Sequence, residues 1–241
     1  MSIWILIGAT FLLAGLVKGV IGMGLPTVAM GLLAIVLPPA EAAAILVVPS
    51  LVTNVWQLWA GPSFGALARR LWPMMVGVVV GTIAGAGVLA GNVAGLAKIG
   101  LGIALVIYAL VGLAGLRLAV ARRREGWLGP LTGAATGLVT GATGVFVIPA
   151  VPYLQAIGLE KDDLVQALGL SFTVSTIALA IGLMRVDALS IHSVWISLLA
   201  LVPALIGMQA GQWLRQRIAA ATFRRVFFAG LLLLGATLAL A

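Results

Sequence analysis

The chain has 241 residues, 63% of them hydrophobic and only 8% charged, with a mean hydropathy of +1.23 and a formal net charge of +8. Apolar runs this long exclude a soluble fold and leave no room for a separate soluble domain; they also exceed the apolar stretch of a cleavable signal, so no removal of the N-terminus is expected. The basic residues stand in short gaps between apolar runs, where they act as topology determinants and not as a nucleic-acid surface.

The first apolar run, Ile3 to Leu37, is longer than the about 20 residues of one straight span. It contains GLVKGVIGMGLP, Gly15 to Pro26, which sets a lysine and four glycines in apolar surroundings. Glycine weakens a helix and proline suits a helix start, so the sequence predicts a half-helix to about Val17, an irregular tip, and a second half-helix from about Pro26. Irregular backbone at membrane depth survives only where protein or a polar cavity satisfies it, which makes the break a pointer to a transporter's binding site. Pro38 and Pro39 form a corner, and Glu41 opens a span to about Gly61. Arg69 and Arg70 precede a span from about Pro73 to Ala90, and Leu96 to Leu118 forms the next. A basic connector with Arg117, Arg122, Arg123 and Arg124 leads to a second broken element, about Leu128 to Ile157, interrupted from Gly141 to Pro149. Spans at about Leu164 to Met184, Ser190 to Leu214 and Thr222 to Ala241 complete the chain.

The two halves match at an offset of 122 residues: GLVKGVIG from Gly15 and GLVTGATG from Gly137 are identical at five of eight positions. The same offset carries Glu41 to Asp163, Thr53 to Ser175 and Gly85 to Gly207, so a duplication is expected, with repeats 1–120 and 121–241 in one membrane domain. If each broken element is a hairpin that returns to the side it entered, 11 of the 14 Lys and Arg residues fall on one face. Lys98 and Arg185 then lie opposite, and Lys18 lies within the membrane. The positive-inside rule makes that basic face cytoplasmic and both termini periplasmic. Three crossings per half is an odd number, so the halves are inverted. The expected fold is an all-α integral membrane protein of two inverted repeats, each a re-entrant broken-helix hairpin plus three transmembrane helices, with the glycine tips meeting near the midplane.

A half-helix that begins inside the membrane presents backbone N–H groups and a positive dipole end, which is an anion site. Lys18 adds a full charge beside the backbone of Gly19, Gly22, Gly24 and Thr27; otherwise it snorkels to an interface or pairs with Glu41. The corresponding positions in the second half are Thr140, Gly141 and Gly144. Ser50, Thr53, Asn54 and Gln57 recur at i, i+3, i+4 and i+7 and share one helix face, with a second stripe at Ser171, Ser175 and Thr176. Such stripes either contact substrate or bond helices together. Pro49 leaves the carbonyl of Ile45 without its usual donor and is expected to kink that span. Glu41 and Asp163 begin helices, where a carboxylate offsets the dipole; the alternative is coupling to H+ or Na+. The glycines at 77, 81 and 85, and at 207 and 211, read as close-packing faces. Trp4, Trp72, Trp127, Trp195 and Trp213 near span ends read as interfacial anchors. His192 stands alone and there is no cysteine. No metal-ligand spacing, nucleophile–base pair or phosphate loop before a strand is present, so neither an enzyme nor a cofactor is expected.

The duplicated glycine-rich motif followed by proline, here GLVKGVIGMGLP and GLVTGATGVFVIP, together with the chain length and the polar helix after each motif, resembles the sulfite exporter TauE/SafE family. The likeness covers essentially the whole chain. Where that family commonly carries three consecutive glycines, this chain has Gly22, Met23 and Gly24, and in the second half Gly144, Val145 and Phe146. The resemblance implies movement of sulfite, sulfonates or related sulfur oxyanions across the bacterial inner membrane. Two other readings of the residues stay open: a carrier of small organic carboxylates, and a non-transporting membrane scaffold subunit. The expected partners are a small anion, a coupling H+ or Na+ and the lipid bilayer, with no nucleic acid; oligomeric state is not legible.

Overall fold

A computed structural model of the chain describes residues 3–90, 94–115 and 118–240. Arg117, counted above with the basic connector, and Ala241, the end of the last span, lie outside the described residues. Ten α-helices are described: α1 (Ile3–Ile21), α2 (Leu25–Leu33), α3 (Pro39–Trp59), α4 (Phe64–Ala90), α5 (Ala94–Ala114), α6 (Glu125–Thr143), α7 (Ala150–Ala156), α8 (Lys161–Arg185), α9 (Ile191–Arg215) and α10 (Ala220–Leu240). Seven of them, α1, α3, α4, α5, α8, α9 and α10, are long and apolar enough to cross a membrane. Large apolar side chains such as Val80, Leu110, Leu199, Val202 and Leu233 point outward, and all seven tryptophans are exposed. A protein that shows this much apolar surface has lipid as its solvent.

Both broken elements exist, but they break later than the sequence predicts. α1 runs through Val17 to Ile21, because Gly15 and Gly19 are helical and pack on α9. A Cβ on Gly15 would lie 2.1 Å from the carbonyl oxygen of Ala204, and one on Gly19 would lie 2.2 Å from that of Met208. Tertiary contact outweighs the low helix propensity of glycine, and the chain turns only where Gly22 and Gly24 adopt φ of +76° and +102°. Gly141 is helical for the same reason, since its Cβ would lie 2.3 Å from the carbonyl oxygen of Thr82 in α4, and the second interruption begins at Gly144. α4 also starts earlier than expected and takes Arg69, Arg70 and Pro73 into its first turns.

The second broken element turns back on itself. Arg70 donates from Nε and Nη2 to the carboxylate of Glu125, at 2.8 and 2.7 Å, and from Nη2 to the carbonyl of Ile157 at 2.8 Å. One guanidinium thus ties the start of α6 to the residue that ends α7. In the first element Leu6, Ala9, Leu32, Ile35 and Val36 line one apolar groove, so the start of α1 lies beside the chain that leaves α2.

The glycine seams give the direction of each helix pair. Gly77, Gly81 and Gly85 meet, in turn, the carbonyls of Pro130, Ala134 and Leu138, so α4 and α6 run parallel. Gly207 and Gly211 meet those of Leu12 and Leu16, so α9 and α1 also run parallel. In contrast, Gly102 and Val106 meet Ala239 and Gly235, and Asn54, Leu58 and Gly61 meet Thr176, Gly169 and Gln166. Hence α5 and α10, and α3 and α8, run antiparallel. The predicted match of Gly85 with Gly207 does not hold in these seams. Gly81 has the surroundings of Gly207, and Gly85 those of Gly211, an offset of 126. The additional four residues are about one helical turn, which preserves the face and therefore leaves no break in the sequence pattern.

Pro49 lies inside α3, and the carbonyl it orphans has a donor. Ser197 Oγ of α9 donates to the Ile45 oxygen at 2.6 Å and accepts from the Val48 N–H at 3.0 Å. Ser197 is fully buried, so Ser197→Ala strands two backbone groups away from water. We expect it to cost about 1–3 kcal/mol, read as a lower Tm in detergent; an unchanged Tm would show that the proline site is satisfied without this hydroxyl.

Candidate functional site

Lys18 is 4% exposed on α1, four residues before Gly22, where the first broken element turns. It does not snorkel and it does not reach Glu41. Its Nζ donates to Thr53 Oγ1 at 3.1 Å and to Asn54 Oδ1, both on α3. Asn54 Nδ2 in turn donates to Thr176 Oγ1 of α8 at 3.3 Å. The amine nitrogen therefore sits where three helices meet, and both of its acceptors are neutral. Among the described residues the ion pair formed is Arg70 with Glu125, far along the chain from this junction. A buried cation with only neutral acceptors lacks a counter-ion.

The i, i+3, i+4, i+7 spacing is what places this stripe inward. Ser50, Thr53, Asn54 and Gln57 are all buried. Thr53 donates its own proton to the Pro49 carbonyl at 2.7 Å, which leaves its oxygen lone pair for Lys18. Gln57 Nε2 donates to the Val165 carbonyl at 2.9 Å. Four buried polar atoms of α3 and α8 have no protein partner: Ser50 Oγ, Gln57 Oε1, Ser171 Oγ and Ser175 Oγ. Unpaired polar atoms in a dry interior are costly, and in a native protein each one calls for a ligand, an ion or water. Four residues after the lysine the tip is open, since a Cβ on Gly22 would meet no atom within 4 Å. A buried amine with neutral acceptors and hydroxyls without a protein partner are the kinds of group that bind an oxyanion.

The profile of the sulfite exporter TauE/SafE family matches residues 7–238. The chain belongs to that family. No curated protein and no solved structure matches it. Family membership and seven apolar helices make it a multi-pass membrane protein of a transporter class that handles sulfur anions.

The other expected positions of this TauE/SafE chain divide into groups. Gly22 and Gly24 form the first turn, and Thr27 Oγ1 donates back to the Gly24 carbonyl at 2.8 Å. Gly144 forms the second turn, with Met30 of α2 packed on it, so the two broken elements touch. Gly19 and Gly141 face α9 and α4 as packing residues. Thr140, at the offset from Lys18, donates to the Thr136 carbonyl at 2.7 Å and extends no charge toward α8. Ser175, at the offset from Thr53, is correspondingly without a partner. Glu41 and Asp163 lie in the first turns of α3 and α8, partly exposed.

Three residues had not been singled out. Gln166 donates to the carbonyls of Leu58 and Gly61 and accepts from Ser63 N–H, which clasps the end of α3. Tyr108 lies buried in α5 with its hydroxyl 3.0 Å from the sulfur of Met23 at the first turn. Ser197 carried a usable signal, since a proline inside a buried helix requires a donor from elsewhere; Gln166 and Tyr108 carried none.

Asn54→Leu removes an acceptor from Lys18 and a donor from Thr176 in one change. Glu41→Gln alters a partly exposed helix start. Transport is therefore expected to fall about tenfold or more with Asn54→Leu, the equivalent of one lost hydrogen bond to a charge, and by much less with Glu41→Gln. Initial uptake rates at matched expression decide it, and the reverse order would make Glu41 the functional carboxylate.

Proposed function

We propose that this protein is a secondary transporter that carries a small sulfur oxyanion, sulfite or an organosulfonate, across the bacterial inner membrane by alternating access between two inverted halves, residues 1–120 and 121–241. The observation that carries this reading is Lys18, a buried amine in the last turn of α1 whose hydrogen-bond partners among the described residues are neutral. An anion supplies the missing charge. A carboxylate carrier could use the same lysine, and the family favours sulfur. A scaffold would not need a buried lysine with neutral partners at its centre.

The substrate-binding groups in this reading are Lys18, the tip backbone at Gly22 and Gly24, Thr27, and the stripe residues Ser50, Asn54 and Gln57, completed from the second half by Gly144, Ser171 and Ser175. Gly19, Gly141 and Thr140 hold the tips in place. Supporting the inverted halves are the paired seams: α1 parallel to α9 as α4 is to α6, with α3 antiparallel to α8 and α5 to α10. Asn54 and Thr176 stand at the 122-residue offset and touch, as equivalent residues do on a two-fold axis.

Topology is read by single cysteines in this cysteine-free chain. Arg123→Cys and Asp187→Cys should react with an impermeant thiol reagent from the cytoplasmic and the periplasmic side respectively. Reaction from one common side would sink the hairpin assignment.

Transport is tested in proteoliposomes with labelled sulfite, with methanesulfonate and a small carboxylate as competitors. Lys18→Met should weaken anion binding about ten- to a hundredfold, the loss of a charge-assisted hydrogen bond of about 1.5–3 kcal/mol. Expression should be kept, because a buried ionisable group has left the interior. Parental affinity in Lys18→Met would move the site away from this lysine.

A further inference from the structure

We infer that the driving ion is a proton and that Lys18 itself carries it, one proton crossing with each anion; this rests on the anion-transport reading above and names its coupling. The geometry at Nζ supports two protonation states equally well. Thr53 Oγ1 and Asn54 Oδ1 are neutral acceptors, and an uncharged amine can donate its two N–H groups to both without any rearrangement. The ammonium form has one further N–H and a charge that no described residue within hydrogen-bond reach neutralises. A bound anion supplies that neutralisation. Anion and proton therefore promote each other's binding by the same factor.

The charged groups on the surrounding helices do not provide a counter-ion. α2 carries no ionisable side chain. On α3 the ionisable residue is Glu41, thirteen residues before Asn54 and so about 20 Å away along the helix. On α9 the ionisable residues are His192 and Arg215, and on α10 they are Arg224 and Arg225; Arg215, Arg224 and Arg225 are exposed cations, which disfavour a second positive charge nearby. On α8, Lys161, Asp162 and Asp163 begin the helix and Arg185 ends it, at least nine residues from Thr176. On α1 itself Lys18 is the ionisable side chain.

The cycle balances in atoms and charge. On the loading side the lone pair of the Lys18 amine takes a proton from water as the anion enters. On the other side the anion leaves, and the N–H bond breaks with the proton returning to water. The empty carrier then returns with a neutral amine, so no uncompensated charge crosses the apolar interior.

The test uses the intact protein in proteoliposomes with an internal pH dye, and with methanesulfonate beside sulfite as substrates. Methanesulfonate brings no proton of its own near neutral pH, so any acidification inside must come through the protein. The expected result is one proton per methanesulfonate, uptake driven by an inward pH gradient, and no response to a sodium gradient. Lys18→Arg keeps the charge but cannot release it, so it should still exchange labelled for unlabelled anion while net uptake falls at least tenfold. Anion uptake without proton movement, sodium-driven uptake, or net uptake in Lys18→Arg equal to the parent would overturn the inference and leave the transport reading standing. Failure to move either anion would overturn both.

Discussion

Helices in this protein touch backbone to backbone, most closely in two parallel pairs. Where α1 meets α9 and α4 meets α6, a single methyl group at Gly15, Gly19, Gly81, Gly141 or Gly207 would lie within 2.3 Å of a carbonyl oxygen. In lipid there is no hydrophobic gain from joining two apolar helices, so association depends on close van der Waals contact, and only hydrogen on Cα permits it here. These seams clamp each long broken-element helix along its length. They keep α1 helical through four residues that propensity alone would unwind, and so decide where the turn falls and where Lys18 ends up.

The placement of Lys18 has consequences for the helices around it. An ammonium away from water needs acceptors, and α3 supplies Thr53 and Asn54 from one face while α8 holds Asn54 through Thr176. The same helix α3 carries Pro49 one turn before Thr53, and Ser197 of α9 satisfies the carbonyl that the proline leaves open. The polar interior is thus a set of local repairs around two awkward residues, a lysine and a proline. The hydroxyls of Ser50, Ser171 and Ser175 stand outside these repairs and have no hydrogen-bond partner in the described protein.

The two broken elements, α1 with α2 and α6 with α7, are unlike in chemistry. Lys18 corresponds to Thr140, so charge enters from one half alone. Arg70 fastens both ends of the second broken element, while the first is bordered by the apolar side chains of Leu6, Leu32, Ile35 and Val36. Val145 and Phe146 fill the second turn, and Phe146 packs on Phe172 of α8, its ring centroid 5.3 Å away. The first turn keeps open space beside Gly22.

The sequence by itself determined the class, the broken elements, the inward polar stripe and the family, because each follows from local quantities: length of apolar runs, glycine and proline positions, and a helical period that survives in any tertiary setting. It also located Lys18, yet not its partners. Which acceptors a buried lysine finds depends on helices 35 or more residues away, and nothing in the periodicity of α1 specifies how α3 is rotated against it. The one-turn slip between the seams was invisible for a related reason, since four residues return a helix to nearly the same face. Arg70, read as a loop cation, became a clamp only when Glu125 and Ile157 came to it from the other half of the chain. Contacts between distant helices are settled by packing, and packing is what the tertiary structure adds.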